Sequence, residues 1–356
     1  MKKQSTIRDV AAHASVSIGT VSNYLNDVKP IAPDTRERIE AAISELEFVP
    51  NMAVKVIMGG RSHAIGFVVP DTANPFYTEV ARGVEDAAID AGHVLVSCNT
   101  DGNPEREARY IRALSEMRVV GALITPASVH DQSFRALQRS GAQVVMLGVT
   151  DADDVSVVAV DDRLGGKLAV AHLIELGHRR IALIGGPAAE RQVHDRFAGA
   201  RDAFVEAGLD PDGLQRIDVK ESNFPSRTIV AEEILALDPR PTGLFCANDL
   251  IALAVMEGLR RNGIRTPEDI AVVGYDDIAN SRYAVVPLTS ISVPKHEMGF
   301  AAAKFLLEAA AEGAPAVQRV IFNPTLVIRE STAGQGREED AQVEPAQPPT
   351  NSKASS

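Results

Sequence analysis

Residues 6–26 read Thr6-Ile-Arg-Asp-Val-Ala-Ala-His-Ala-Ser-Val-Ser-Ile-Gly-Thr-Val-Ser-Asn-Tyr-Leu-Asn26. Thr6 is placed to cap a first helix, and Asp9 three residues on favours that helix's N-terminus. Ile7, Val10, Ala11 and Ala14 keep helical spacing. Ser15 and Val16 form a tight turn, and Ser17 caps a second helix that buries Val21 and Leu25. A third helix follows Pro33, which suits the first helical position, and it aligns Ile39, Ala42, Ile43 and Leu46 on one face. Its cap position holds Ala32, which accepts no side-chain hydrogen bond, so this start is expected to be weaker by about 1 kcal/mol. Two helices joined by so short a turn cross steeply and leave the second free to enter a major groove. The outward side of the second helix carries Ser17, Ile18, Gly19, Thr20, Ser22, Asn23 and Asn26. These are small or polar, as close approach to DNA requires. Asn23 suits a base edge, whereas Ser17, Thr20, Ser22 and Asn26 suit phosphates. The same pattern also serves a plain three-helix bundle with a solvated face.

The chain has 356 residues, 45% hydrophobic and 24% charged, with a net charge of −12. That mixture excludes a disordered chain, a collagen and a disulfide miniprotein. The acidity is uneven: residues 1–60 balance seven basic groups against seven acids, so the whole excess lies beyond them. Charge therefore permits an N-terminal DNA-binding module. Cys98 and Cys246 stand alone in apolar runs, with no Cys-x-x-Cys, which fits a reducing cytosolic address. No secretory signal and no membrane span are expected. The eight histidines show no metal-ligand spacing. No P-loop, dinucleotide fingerprint or nucleophile elbow is present, so no cofactor and no enzymatic activity are expected.

Pro50 ends the helical pattern, and Gly59-Gly60-Arg61-Ser62 reads as a joint. From Ala64 onward apolar runs alternate with amphipathic helical stretches. The runs are Ala64–Pro70, Val94–Ser97, Gly121–Thr125, Val144–Leu147, Val157–Val160, Ile181–Gly185, Gly243–Cys246 and Ile270–Tyr275. Runs buried on both faces imply parallel sheets covered by helices. About eleven strands over roughly 270 residues exceed one compact sheet, so two α/β lobes are expected. Two late runs, Thr289–Ser292 and Arg319–Phe322, flank a helix at Met298–Ala311 and look like returns to the first lobe. The polar stretch after Thr332 reads as a disordered tail.

The 6–26 segment, continued by Asp34-Thr-Arg-Glu-Arg-Ile-Glu-Ala-Ala-Ile and Glu47-Phe-Val-Pro-Asn51, resembles the LacI/GalR family of bacterial transcription regulators. The likeness runs from Thr6 to about Glu330. It implies a small all-α helix-turn-helix head and an α/β core of two Rossmann-like lobes, like the type I periplasmic binding proteins. The implied limits are a DNA-binding domain over 1–49, a hinge helix and linker over 50–62, an effector-binding core over 63–332 and a tail over 333–356. Within the core, the first lobe spans about 63–161 plus 293–322, and the second about 162–292 plus 323–332. The resemblance adds Thr6, Asn51, Lys55 and Ile57 to the DNA-facing residues. Hinge helices of the family enter the minor groove as a pair. Ile57 stands in the place of the wedge leucine, and Lys55 replaces a common arginine.

Ligands of open α/β sheets lie beyond the carboxyl ends of the strands. The segments that come after the strands here are polar: Asn74, Asn99 with Asp101, Ser128, Gln192 to Arg196, Asn223 with Phe224, Asn248 with Asp249, and Tyr275-Asp276-Asp277. Amides and carboxylates pair with hydroxyls, and aromatic faces cover a sugar ring. By family position, Phe76, Gln192, Arg196, Phe224, Asn248 and Asp276 match effector contacts, Arg196 and Asp276 most directly. Asn74 equally suits a turn before Pro75, and Asp249 a helix cap. Ser128 and Val293 depart from sugar-binding relatives, and Glu190 from purine-responsive ones. These departures count against ribose and against a purine corepressor. The resemblance thus implies a cytoplasmic homodimer that binds double-stranded operator DNA and is released by a small sugar-like effector. The alternatives are a corepressor-dependent repressor and a sugar-binding protein with no DNA role.

Overall fold

The computed structural model describes residues 5–26, 29–49, 62–126, 133–150, 154–186, 191–219, 224–311 and 317–333; for Asn26 and residues 224–229 this means the backbone alone. The chain divides into two compact units, Met1–Ser62 and His63–Ser356. The expectations for Asn51, Lys55, Ile57, Ser128, Glu190, Asn223 and the tail beyond Ala333 fall outside the described residues.

The first unit holds α1 (Ile7–His13), α2 (Ile18–Asn26) and α3 (Pro33–Glu45). Thr6 and Asp9 form a reciprocal capping box: the Asp9 amide donates to the Thr6 hydroxyl, and the Thr6 amide donates to the Asp9 carboxylate at 2.8 Å. Ser15, at φ 53, turns the chain between α1 and α2. The Thr20 amide then donates to Ser17 Oγ at 3.0 Å, which starts α2. Ala32 at the start of α3 supplies no side-chain acceptor, and Pro33 follows it. The small Ala11 and Ala14 let α1 approach the others around a core of Val10, Val21, Ile39 and Ala42. Leu25, Ile43 and Leu46 pack on it half-buried.

The second unit contains two six-stranded sheets. The first takes β1 (Ala64–Val69), β2 (Val94–Asn99), β3 (Gly121–Ile124), β4 (Gln143–Leu147), β5 (Ser156–Val160) and β11 (Arg319–Phe322). Their spatial order is β11-β5-β4-β3-β1-β2. The second takes β6 (Ile181–Gly185), β7 (Gln215–Asp218), β8 (Gly243–Cys246), β9 (Ala271–Asp276), β10 (Thr289–Ser292) and β12 (Thr325–Val327). Its order, β12-β10-β9-β8-β6-β7, repeats the first. Every pairing is parallel except β10 with β12. β1 and β9 are buried along their whole length, as strands covered on both faces must be. Thr289–Ser292 pairs with β9 and β12, so it belongs to the second sheet; only Arg319–Phe322 returns to the first. Sequence reading passed over β7 and β12. Both are edge strands, short and mostly polar or half-exposed.

The helices of the second unit include α4 (Pro75–Asp90), α5 (Pro104–Glu116), α6 (Arg135–Arg139), α7 (Asp162–Glu175), α8 (Arg191–Glu206), α9 (Phe224–Ala236), α10 (Asp249–Arg261), α11 (Ala279–Arg282), α12 (Lys295–Ala310) and α13 (Glu330–Ala333). Each lobe is clamped by a glycine-to-glycine helix crossing. In the first, Gly83 of α4 faces the His296 carbonyl, and Gly299 of α12 faces the Val80 carbonyl. In the second, Gly166 of α7 faces the Arg196 carbonyl, and Gly199 of α8 faces that of Arg163. A Cβ at any of these positions would run into backbone, so the helices lie closer than side chains would allow.

This packing sets two stability outcomes. Gly83→Ala should destabilise the chain by about 1–3 kcal/mol through overpacking, read by urea unfolding. Ala32→Ser should raise the melting point of the N-terminal unit, with about 1 kcal/mol gained from the new cap.

Candidate functional site

The first candidate surface is the start of α2. Ser17, Ile18 and Gly19 are exposed there, and Thr20, Ser22 and Asn23 are half-exposed. Ser17 Oγ and Thr20 Oγ1 lie 2.8 Å apart, so these hydroxyls are ordered beside the helix N-terminus. Helix N-termini attract phosphate through free amides and the helix dipole. Ile18 is 46% exposed although it is a large aliphatic side chain, which leaves an apolar knob at the leading edge. Thr6 is exposed, with its hydroxyl given to its own cap. Asn26 ends the helix.

The second candidate site lies at the carboxyl ends of the strands in the second unit. Arg196, in the second turn of α8, is buried at 9% exposure. Its Nε donates to Asp162 Oδ1 at 2.8 Å, and its Nη1 donates to the Ala247 carbonyl. Its guanidinium carbon lies 3.5 Å from the centre of the Tyr275 ring. Against the cost of burial, Asp162, Tyr275 and Asp276 hold this guanidinium above the ordinary arginine value. Burial raises the Asp162 carboxyl against the pull of Arg196. Asp276, at the end of β9, is 5% exposed and sits at φ 100, followed by Asp277 at φ 50. Two successive non-glycine residues in that region store strain of about 1–3 kcal/mol each, which is common where a side chain must be aimed. Burial pushes Asp276 up to about 8; Asp249 adds repulsion, while Arg196 and Lys295 oppose it.

Asp249 underpins this turn. Its Oδ2 accepts from the Ile278 amide at 2.8 Å and from Ser281 Oγ at 2.6 Å, and its Oδ1 from Ser290 Oγ at 2.6 Å. It is wholly buried, and burial lifts its carboxyl to about 6 against those three hydrogen bonds. The cap of α10 is instead Asn248, whose Oδ1 accepts from the Ile251 amide at 2.8 Å. Asn248 thus has one acceptor site of its amide oxygen committed to the helix start, while its amide nitrogen has no part in the cap.

The remaining residues divide. Gln192 crosses between the lobes: its side chain packs on Gly148, just past β4, where the backbone is left-handed. Asn74 is the N-cap of α4, its Oδ1 accepting from the Phe76 amide at 3.0 Å. Phe76 is half-buried, edge-on to Tyr77 with ring centres 4.9 Å apart. Asn99 is spent on its own loops, accepting from the Thr72 amide at 2.8 Å and donating to Asp101 at 2.5 Å. It ends an edge strand. Phe224 is the first residue of α9. Sequence reading missed Asp162 and the stacking of Tyr275 on Arg196. The pair Asp161-Asp162 after a strand carries a signal: Asp161 caps α7 by accepting from the Leu164 amide at 2.8 Å, which leaves Asp162 to turn inward.

Among the described residues, no group of three His, Cys, Asp or Glu side chains is placed to hold a metal ion. No described helix is long and apolar enough to cross a membrane.

A helix-turn-helix head joined to a two-lobed α/β core with a polar cleft defines a DNA-binding transcription regulator with a small-molecule site. Residues 6–51 match the bacterial regulatory proteins of the lacI family, and residues 170–332 match a periplasmic binding protein-like domain. The transcriptional repressor PurR of Aliivibrio fischeri (strain ATCC 700601 / ES114) is 36% identical over 310 residues, covering 85% of this chain and 91% of that one. The ribose operon repressor of Escherichia coli (strain K12) is 34% identical over 330 residues, covering 92% and 99%. A lac repressor dimer bound to operator and the anti-inducer ONPF superposes with a TM-score of 0.78 at 28% identity, covering 93% of this chain and 99% of that one. The chain belongs to the LacI family.

The raised carboxyls give the core a defined pH response. An acid whose pKa is higher folded than unfolded binds more protons in the native state, so stability falls as pH rises between the two values. For Asp249 and Asp276 that window runs from about 4 upward, to about 6 and about 8. Unfolding free energy measured against pH should decline across it, and Asp276→Asn should flatten the upper part and be the more stable form above pH 8.

Proposed function

We propose that the chain is a cytoplasmic, homodimeric repressor of carbohydrate-utilisation genes, released from a pseudo-palindromic operator by a small sugar-like effector. The observation that carries this reading is the Arg196–Asp276 pair at the strand ends. A buried carboxyl and a buried, pre-oriented guanidinium complement neutral hydroxyls in both directions, as acceptor and as donor. Ser17, Ile18, Gly19, Thr20, Ser22, Asn23 and Asn26 face the major groove, while Asn51, Lys55 and Ile57 reach the minor groove. In the cleft, Phe76 and Phe224 cover the ring, and Gln192, Asn248, Asn74, Asn99 and Ser128 supply polar contacts, Asn99 the weakest candidate. The relative that represses a ribose operon and the neighbour that forms an operator-bound dimer support the reading. A second reading, a corepressor that tightens DNA binding, is favoured by the likeness to purine repressors. Effector and operator must be linked through unequal affinity for two states of the core.

The test is a gel-shift titration of the full chain on DNA upstream of its own gene. It is run alone and with single pentoses, hexoses, disaccharides, sugar phosphates and purine bases. We expect specific binding, weakened about tenfold or more by Asn23→Ala, and release by one sugar. Tightening by a purine would replace this reading with the second one. Consumption of any compound would indicate an enzyme instead.

A further inference from the structure

Lys295 is the first residue of α12 and is 6% exposed. Its Nζ donates to the Asp276 carbonyl at 2.7 Å and to the Asp277 carbonyl at 3.0 Å. The same ammonium lies 3.5 Å from the Glu79 carboxylate on α4. Two of its three donors thus grip the two left-handed residues of the second lobe, and the ammonium also meets α4 of its own, first lobe. The rest of the turn is held from within the second lobe. The Asp277 amide donates to Ser290 Oγ at 3.1 Å, and Arg329 pairs with the Asp277 carboxylate at 2.6 Å. Those bonds fix the amide and side-chain sides of the turn. Lys295 fixes its carbonyl side and comes from a helix clamped to α4 through Gly83 and Gly299.

We propose that Lys295 is a positioning residue of the cleft: its ammonium holds the strained Asp276–Asp277 turn, aims the Asp276 carboxyl, and ties that aim to α4 through Glu79. Phe76 lies one turn before Glu79 on the same helix, so a ligand touching Phe76 and Asp276 meets both ends of this link. The proposal rests on the reading of Asp276 as an effector contact, and its test separates the two. The charged groups that face Asp276 are Arg196, Asp249, Lys295 and Asp162.

The test uses the full chain with carbon-13-labelled aspartate. The protonated carboxyl is followed by infrared absorption against pH, with Asp276→Asn assigning the Asp276 band. The native band should disappear around the pH of about 8 that burial sets. Lys295→Met removes an opposing positive charge and should move that midpoint upward. Glu79→Gln removes a negative charge behind the ammonium and should move it downward. Lys304→Met, on the exposed side of α12, should leave it in place. Opposite shifts show that Asp276 senses the Lys295–Glu79 pair, and the dose of releasing compound in the operator titration reads the aim of the carboxyl. Coincident midpoints for native, Lys295→Met and Glu79→Gln proteins would overturn the proposal. If Lys295→Met does not fold, the Glu79→Gln shift decides alone. In the operator titration, Lys295→Met should also need about tenfold more of a releasing compound. If Asp276→Asn responds to that compound as the native chain does, the effector reading of Asp276 fails, while the infrared midpoints still judge Lys295.

Discussion

The buried pair of Arg196 with Asp162 organises the second lobe. It joins α8 to the start of α7 at 2.8 Å, anchors the guanidinium on the Ala247 carbonyl beyond β8, and lays it on Tyr275 of β9. The glycines at 166 and 199 bring α7 and α8 close enough for that reach. Such a pair gives up much hydration, so it is a weak source of stability. Its value is geometric. Bonds from Nε and Nη1 and the Tyr275 ring against its face hold the guanidinium in one orientation.

Asp276 sits against this fixed wall in a conformation that works against stability. It is buried, raised toward neutrality and strained at φ 100. Asp249, Ser290 and Arg329 compensate by bonding the amides and the carboxylate of the following turn, and Lys295 bonds its carbonyls. On the proposed reading, hydroxyl partners supplied by an effector would bear on both the protonation and the strain of this carboxyl. That is the kind of unequal interaction a regulator needs if occupancy of the core is to alter DNA binding.

The architecture was legible where residues report on their own surroundings. Runs such as Ile181–Gly185 and Gly243–Cys246 are buried on both faces and match β6 and β8 end to end. The helix starts at Thr6 and Ser17 follow from cap chemistry, which involves neighbours three residues apart, and the start of α3 follows from Pro33 at the first helical position. The edge strand β7 escaped because Gln-Arg-Ile-Asp at 215–218 carries no apolar signature. The assignment of Thr289–Ser292 by its position late in the chain failed, since pairing with β9 is a tertiary fact. In the cleft, the strand-end rule drew attention to Arg196 and Asp276. It could not reveal Asp162, 34 residues from Arg196, or Lys295, 19 residues from Asp276, because no local pattern encodes those meetings. Nor could it tell that the amide oxygens of Asn74, Asn99 and Asn248 each already accept a backbone amide.

The dependence of the cleft on the Arg196–Asp162 pair is most directly tested by a double-mutant cycle. Arg196→Met, Asp162→Leu and the double variant of the full chain would be compared by urea unfolding of the second unit. Each single change should cost about 3–5 kcal/mol, because it strands a buried charge, and the double variant should cost less than either. Additive losses, with the double variant the least stable of the three, would contradict the view that these two charges form one interdependent unit.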